Sequence, residues 1–139
     1  MNICPSVNAG IVAKNGGNYM RFYGKRNKYF GALKSMIDAG IKCSLQSDSP
    51  SGPFGIECLD GAVNRYDRVR DIQCDTTQAV TVLEGIRIAT LNGAYGSYEE
   101  NIKGSLENGK LADMIVLSDD ILSIDKFDIY KLKVDMTMI

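Results

Sequence analysis

Residues 33–53 contain the pattern that most restricts the fold: a helix, a glycine turn and a strand that ends in a polar loop. Leu33, Met36 and Ile37 recur at helical spacing, and Gly40 stands where such a helix would end. The next residues alternate between apolar and polar side chains and lead into a loop of serine, aspartate, glycine and proline: Ile41, Cys43 and Leu45, then SDSPSGP at 47–53. A helix followed by such a strand is half of a βαβ unit and predicts an α/β fold.

Weaker signals precede this unit. Residues 2–5 indicate the end of a strand closed by proline, and a loop is expected around Gly16, Gly17 and Asn18. Residues 19–30 mix aromatic and basic side chains. Because acidic residues elsewhere balance this charge, we interpret the segment as packed aromatics and not as a nucleic-acid site.

The second half of the chain contains one helix signal and two strand signals. Residues 81–84, TVLE, form a capping-box pattern. The helix that follows is predicted to bury a stripe of small and apolar residues: Val82, Ile86, Ala89 and Gly93. Residues 114–117 predict a short buried strand. Residues 132–138 predict a strand with one apolar face, formed by Leu132, Val134, Met136 and Met138.

The 139 residues include no histidine. Imidazole is the commonest ligand of catalytic zinc and the commonest general base near neutral pH. A chain without it cannot carry a Ser-His-Asp triad, a Cys-His pair or a histidine metal cage. Any such chemistry would have to be completed by residues outside this chain.

The net charge of -1, from 16 basic and 17 acidic residues, does not indicate a basic surface that would bind nucleic acid or a membrane. No apolar run is long enough to span a bilayer, and the first residues do not resemble a signal peptide. The four cysteines form no C-x-x-C pair, so we expect reduced, mostly buried thiols in a cytoplasmic protein: Cys4, Cys43, Cys58 and Cys74. The alternative is a secreted protein with disulfides.

Three segments resemble the amidohydrolase superfamily, and most closely amidohydrolase family 3. The most specific is GSLENGKLADMIVL at 104–117, similar to the family stretch G-S-L-x-x-G-K-x-A-D-x-V-V-L, although proline is more usual at Asn108. The second is TVLEGI at 81–86 with TLNGA at 90–94, where alanine is commoner at both glycines. The third is DAG at 38–40, a strand, and SDSP at 47–50.

The resemblance implies the C-terminal portion of a (β/α)8 TIM barrel, about strands seven and eight with the following helices, plus C-terminal strands of a small β-sandwich. We expect residues 1–103 to form the barrel part and residues 104–139 the sandwich part. Family members are several-fold longer and carry a histidine-x-histidine metal pair, a lysine and two further histidines on earlier strands. This chain is therefore expected to be a fragment that begins inside strand seven.

The resemblance assigns the catalytic position to Asp48, at the end of the eighth barrel strand. In the family the matching aspartate lies beside a metal-bound water, takes its proton during attack on the carbonyl, and passes it to the leaving group. Asp48 would be a catalytic and metal-contacting residue only in the intact parent, with zinc or another divalent metal. The alternative is that Asp48 only caps a turn before proline.

Four other polar residues are candidates for a role in the site. Asp113 precedes a strand and Lys110 lies in a turn, so structural roles are expected for both. Arg26 and Arg65 could touch substrate near the barrel mouth, but solvated arginines are the simpler interpretation.

The parent is expected to hydrolyse carbon–nitrogen bonds other than peptide bonds, such as amides or cyclic amides of small molecules. The fragment itself is expected to be inactive, to hold no metal and to self-associate through uncovered strand edges and apolar faces. The alternative is a non-catalytic homologue with a regulatory or binding role, similar to exoenzyme regulatory proteins.

Overall fold

The computed structural model describes residues 3–49, 52 and 55–139. Part of the predicted polar loop, and residue 2 of the predicted first strand, lie outside the described residues. The described elements, in chain order, are β1 (Ser6–Val7), α1 (Val12–Tyr23), a 3-10 helix (Gly24–Tyr29), α2 (Leu33–Asp38), β2 (Ser44–Leu45), α3 (Ile56–Asn64), β3 (Tyr66–Asp67), β4 (Ile72–Gln73), α4 (Val82–Ala89), α5 (Leu91–Gly96), β5 (Met114–Leu117), a second 3-10 helix (Lys126–Lys131) and β6 (Val134–Met138).

The predicted helix–turn–strand unit forms, and its strand lies parallel to the strand before it. Helix α2 ends at the predicted turn, where Gly40 has a φ of +71° that favours glycine. Strand β2 then pairs with β1, with Ser6 opposite Ser44. Both strands are shorter or later than predicted: β2 spans only two residues of the expected 41–46, and β1 follows Pro5 instead of ending there.

Helix α1 occupies the place where a loop was predicted around Gly16 and Gly17. Glycine weakens a helix, but here it permits close packing. A Cβ on Gly16 would lie 2.3 Å from the Cys74 Sγ atom, much closer than van der Waals contact allows. The glycines therefore reflect the contact between α1 and the segment after β4, and the loop prediction was wrong.

The core lies between β1, α2, α3 and α4. Its centre is fully shielded from solvent, and residues on α4 and near the second 3-10 helix pack against it. The buried cluster consists of Ala9, Leu33, Cys43, Leu59, Ala62, Val63, Val80, Ile88 and Ile129. Cys43, Cys58 and Cys74 are buried and Cys4 is partly buried, so the expectation of mostly buried cysteines is confirmed.

Arg65, predicted to be solvated, has no exposed surface. It follows α3 with a φ of +47° and accommodates the sharp turn from the helix into strand β3. Its side chain runs inward, where Nε donates to the Asp75 carbonyl at 2.5 Å and Nη1 to the Phe30 carbonyl at 2.9 Å. The solvated interpretation was wrong because these backbone carbonyls replace water as acceptors.

The capping box at α4 is confirmed. The Thr81 hydroxyl accepts from the Glu84 amide at 3.2 Å, and the Glu84 carboxylate accepts from the Thr81 amide at 2.8 Å. The predicted stripe is only partly correct: Val82 and Ile86 pack against the core, but Ala89 and Gly93 are exposed. The helix is interrupted at Thr90, between α4 and α5. The buried residues of α4 are Gly85 and Ile88 instead.

The last strands, β5 and β6, form an antiparallel pair with Met114 opposite Met138. The prediction that β5 is buried was wrong, since Ile115 is 54% exposed and Val116 45% exposed. Strand β6 is exposed along its whole length, and Leu132, just before it, is the buried member of the predicted apolar set.

Candidate functional site

Two polar residues follow the C-terminal ends of the parallel pair β1 and β2. Asn8 comes directly after β1, and Asp48 comes three residues after β2. Because the strands are adjacent and parallel, both residues belong to the same edge of the sheet. Asp48 was predicted as a site residue from the resemblance. Asn8 was not, although a polar residue directly after a strand is the signal that could have found it.

The backbone around Asp48 is tightly folded. Asp48 has a φ of +54°, an unusual conformation for a residue other than glycine. Its carbonyl accepts from the Gly52 amide at 3.0 Å. A Cβ on Gly52 would collide with the Ser47 carbonyl oxygen, so only glycine fits there. This closed turn leaves Asp48 exposed.

Helix α1 holds this turn from the outside through Lys14. Its ammonium donates to the Gly52 carbonyl at 3.1 Å and lies 3.8 Å from the Glu57 carboxylate at the start of α3. The Asn8 carboxamide caps the approach to α1, accepting from the Ile11 amide at 3.2 Å. The loop that bears Asp48 is therefore connected to the segment after β1 and to α3.

Two tyrosines of α1 form an aromatic group with Phe30, which follows the first 3-10 helix. The Tyr19 ring stacks on Phe30, with ring centroids 3.9 Å apart, and Tyr23 packs against both rings. Burial raises the pKa of the Tyr19 phenol, and interactions with Tyr23 and Asp48 raise it further.

The residues described here do not fit a metal centre by themselves. Catalytic zinc usually has three protein ligands. Within residues 3–49, 52 and 55–139, no group of three or more histidine, cysteine, aspartate or glutamate side chains could hold a metal ion. Asp48 contributes a single carboxylate.

The remaining polar candidates lie elsewhere. Lys110 fastens the turn before β5, since its ammonium donates to the Glu100 carbonyl at 2.7 Å and to the Ser105 hydroxyl at 2.6 Å. The predicted turn role of Lys110 is therefore confirmed. Asp113 is exposed at the start of β5, and Arg26 is exposed on the first 3-10 helix. Neither is brought to the strand ends that carry Asn8 and Asp48.

Comparison with known proteins identifies the family. The profile of the amidohydrolase family matches residues 1–139. The chain belongs to this family, and the recognition made from its three motifs is confirmed.

The chain is 33% identical to an N-substituted formamide deformylase of Arthrobacter pascens over 108 residues, which is 77% of this chain and 20% of that protein. It is 29% identical over 118 residues to YtcJ of Bacillus subtilis, named as an amidohydrolase, covering 82% of this chain and 22% of YtcJ. The chain thus spans about a fifth of the length of these relatives.

A solved structure of a metal-dependent hydrolase from Pyrococcus horikoshii has the same fold over the matched region. The TM-score is 0.69 at 20% identity, and the match covers 90% of this chain and 26% of that one. The expected α/β class is therefore confirmed. In the part of the chain that the structure describes, no helix is long and apolar enough to cross a membrane.

Proposed function

We propose that this chain is the C-terminal part of a metal-dependent hydrolase that acts on carbon–nitrogen bonds other than peptide bonds. The observation that carries the proposal is the location of Asp48 at the C-terminal ends of two adjacent parallel strands, in a family whose members named above are a deformylase and an amidohydrolase. Functional side chains of (β/α)8 barrels lie at such strand ends. The substrate would be a small amide or cyclic amide.

In this proposal β1 and β2 are the seventh and eighth strands of a barrel, within residues 1–103. Residues 104–139, with the β5–β6 pair, belong to a small β-sandwich. The parallel pairing of β1 with β2, and the helix α2 between them, support the barrel assignment. Among the described strands, β5 and β6 pair only with each other, which supports the division at about residue 103.

The proposed role of Asp48 is that of a proton carrier. An exposed carboxylate at the strand ends can accept a proton from an attacking water and deliver it to the leaving nitrogen. The Asp48 carbonyl accepts from the Gly52 amide, which holds the backbone that carries this carboxylate. Zinc or another divalent metal would polarise the water when bound, on ligands that a longer polypeptide would supply.

The test is turnover by a longer polypeptide that contains this chain, with Asp48→Asn as the variant. We expect kcat to fall by about 100-fold or more, because general acid–base catalysis contributes on that order. The melting temperature should stay near that of the unaltered protein, since the side chain is exposed. Asp119→Asn, in an exposed loop, is the matched control. Turnover retained in Asp48→Asn would refute the assignment, and a polypeptide with no hydrolase activity would favour a regulatory or binding role.

The 139-residue chain alone is proposed to be inactive and to hold no metal. Dialysis of the purified chain against zinc, followed by elemental analysis, should give much less than one zinc per chain. Stoichiometric zinc together with metal-dependent hydrolysis of amides would contradict this. A cytoplasmic location is part of this proposal, and the buried positions of Cys43, Cys58 and Cys74 support it.

A further inference from the structure

The side chain of Asn8 has one end fixed by the protein and one end free to bind a ligand. Its Oδ1 atom accepts from the Ile11 amide at 3.2 Å. This bond sets the orientation of the carboxamide, because only its oxygen can accept from an N–H. The Nδ2 atom therefore faces away from Ile11, and it donates to no residue within 3–49, 52 and 55–139.

The free Nδ2 group lies beside the turn that carries Asp48. A Cβ on Gly52 would lie 3.5 Å from Asn8 Nδ2, and the Gly52 amide closes the turn by donating to the Asp48 carbonyl at 3.0 Å. The strand pairing also continues to this point, since the Gln46 amide donates to the Val7 carbonyl at 3.1 Å. Asn8 therefore lies next to the segment that leads from β2 to Asp48.

A ligand can reach both groups from solvent. Asp48 is exposed and Asn8 is partly exposed. Of the unpaired side-chain atoms that the described residues shield from solvent, none belongs to Asn8, so its Nδ2 atom is accessible. A ligand that accepts from Nδ2 would replace water there and would not have to enter the core.

A neutral N–H donor next to a carboxylate matches the polarity of an amide. The carbonyl oxygen of an amide is an acceptor, and its nitrogen is the atom that needs a proton when the C–N bond breaks. An anionic group would be repelled by Asp48. The nearby Lys14 ammonium is already engaged by the Gly52 carbonyl at 3.1 Å and lies 3.8 Å from the Glu57 carboxylate, so it offsets this repulsion little.

We propose that Asn8 Nδ2 donates a hydrogen bond to the carbonyl oxygen of an uncharged amide substrate and so turns the substrate nitrogen towards Asp48. This inference rests on the hydrolase function proposed above for a longer polypeptide. Neighbouring strands lie about 4.8 Å apart, so a single amide group can contact the ends of both. Asn8 binds the substrate and transfers no proton, whereas Asp48 carries the proton from the attacking water to the leaving nitrogen.

Asn8→Asp removes the donor and keeps the contact with Ile11, because aspartate retains an oxygen that accepts from that amide. The variant is made in a longer polypeptide that contains this chain. The substrate is a small uncharged amide that this polypeptide hydrolyses, found by screening N-alkylformamides, N-alkylacetamides and cyclic amides. We expect KM to rise about tenfold or more, since the carbonyl oxygen loses its donor and meets a carboxylate. We expect kcat to change less than about threefold, because the lost contact is made in the ground state and in the transition state alike.

Three further variants complete the experiment. Asn108→Asp introduces the same charge at an exposed turn and should leave KM unchanged. Asn8→Ala removes the donor together with the contact to Ile11, so it should raise KM by a similar factor and also lower the melting temperature. If Asn8→Asp lowers the melting temperature, Asn8→Ser tests KM in its place, because a serine hydroxyl can also accept from the Ile11 amide.

The outcomes distinguish this inference from the proposed function. A raised KM in Asn8→Asp, with turnover lost only in Asp48→Asn, supports both. An unaltered KM in Asn8→Asp, with turnover lost in Asp48→Asn, would overturn the role of Asn8 and leave the hydrolase function in place. An equal rise in KM in Asn108→Asp would overturn the role of Asn8 as well, since added charge alone would explain it. A polypeptide that hydrolyses none of the screened amides would overturn both.

Discussion

Arg68 holds the buried carboxylate of Asp60 with two nitrogens: Nη2 lies 2.7 Å from Oδ1 and Nε 3.0 Å from Oδ2. Asp60 lies on α3, and Arg68 also donates to the Phe127 carbonyl at 3.0 Å on the second 3-10 helix. The guanidinium carbon sits 4.2 Å from the centroid of the Tyr130 ring. One side chain thus connects the helix after the Asp48 loop to the C-terminal segment.

Arg68→Ala should lower the free energy of unfolding by about 2–4 kcal/mol, since it leaves the Asp60 carboxylate buried without its partner. Urea denaturation measures this loss. Lys131→Ala is the control, because Lys131 pairs with Asp128 at 2.7 Å and both side chains are exposed, at 59% and 49%. That change should cost less than about 1 kcal/mol. Equal losses for the two variants would mean that the Arg68 pair is no more important than a surface pair.

Gly85 tests the packing of α4 against α3. A Cβ at this position would overlap the Cδ1 atom of Leu59, whereas a Cβ on Gly93 would meet open space. Gly85→Ala should therefore destabilise the chain by about 1–3 kcal/mol through overpacking. Gly93→Ala should be neutral or stabilise by up to about 1 kcal/mol, because alanine is the better helix former. Thermal unfolding of both variants gives the comparison, and a stabilising Gly85→Ala would contradict the contact.

The same glycines explain which parts of the fold could be predicted from the sequence. Local patterns carried the prediction of α2, of the Thr81–Glu84 cap and of the strand before Asp48, because each depends on neighbours within a few residues. The loop predicted at Gly16 was wrong because the contact that favours a helix comes from Cys74, far along the chain. Arg65 was misjudged for the same reason, since its acceptors are carbonyls 10 and 35 residues away.

The candidate site was predictable only in part. Asp48 was found from its motif and from its place after a strand, but Asn8 was missed because the first strand was predicted to end at Pro5 and in fact ends at Val7. Asn27 is buried on the first 3-10 helix, and composition could not indicate this.

Glu84 should make stability depend on pH. The pKa of the Glu84 carboxyl group is below its usual value, mainly because the Thr81 amide donates to the carboxylate. The Thr81 hydroxyl and the Lys34 ammonium lower this pKa further. A lowered pKa in the folded state means stability that is present above the unfolded pKa of about 4.3 and is lost as pH falls through the folded value. The melting-temperature difference between the unaltered chain and Glu84→Gln should therefore shrink between pH 6 and pH 3. Thr81→Ala, the control, removes a hydroxyl that does not titrate in this range and should cost about 1 kcal/mol at pH 6. A difference for Glu84→Gln that is the same at both pH values would contradict the role of the carboxylate charge.

The β5–β6 pair is expected to drive self-association of the isolated chain. Val116 and Met136 are directly paired and therefore share one face, where they are 45% and 55% exposed. Monomeric soluble proteins rarely expose large contiguous apolar patches, so a second copy is expected to cover this face. Size-exclusion chromatography with light scattering at micromolar concentration should give a mass above that of one chain. Val116→Lys with Met136→Lys should shift the mass to the monomer, because two buried ammonium groups would face each other across the contact. Thr137→Lys, on the opposite face of β6, should leave the mass unchanged. A monodisperse monomer of the unaltered chain, with cooperative unfolding, would contradict the prediction.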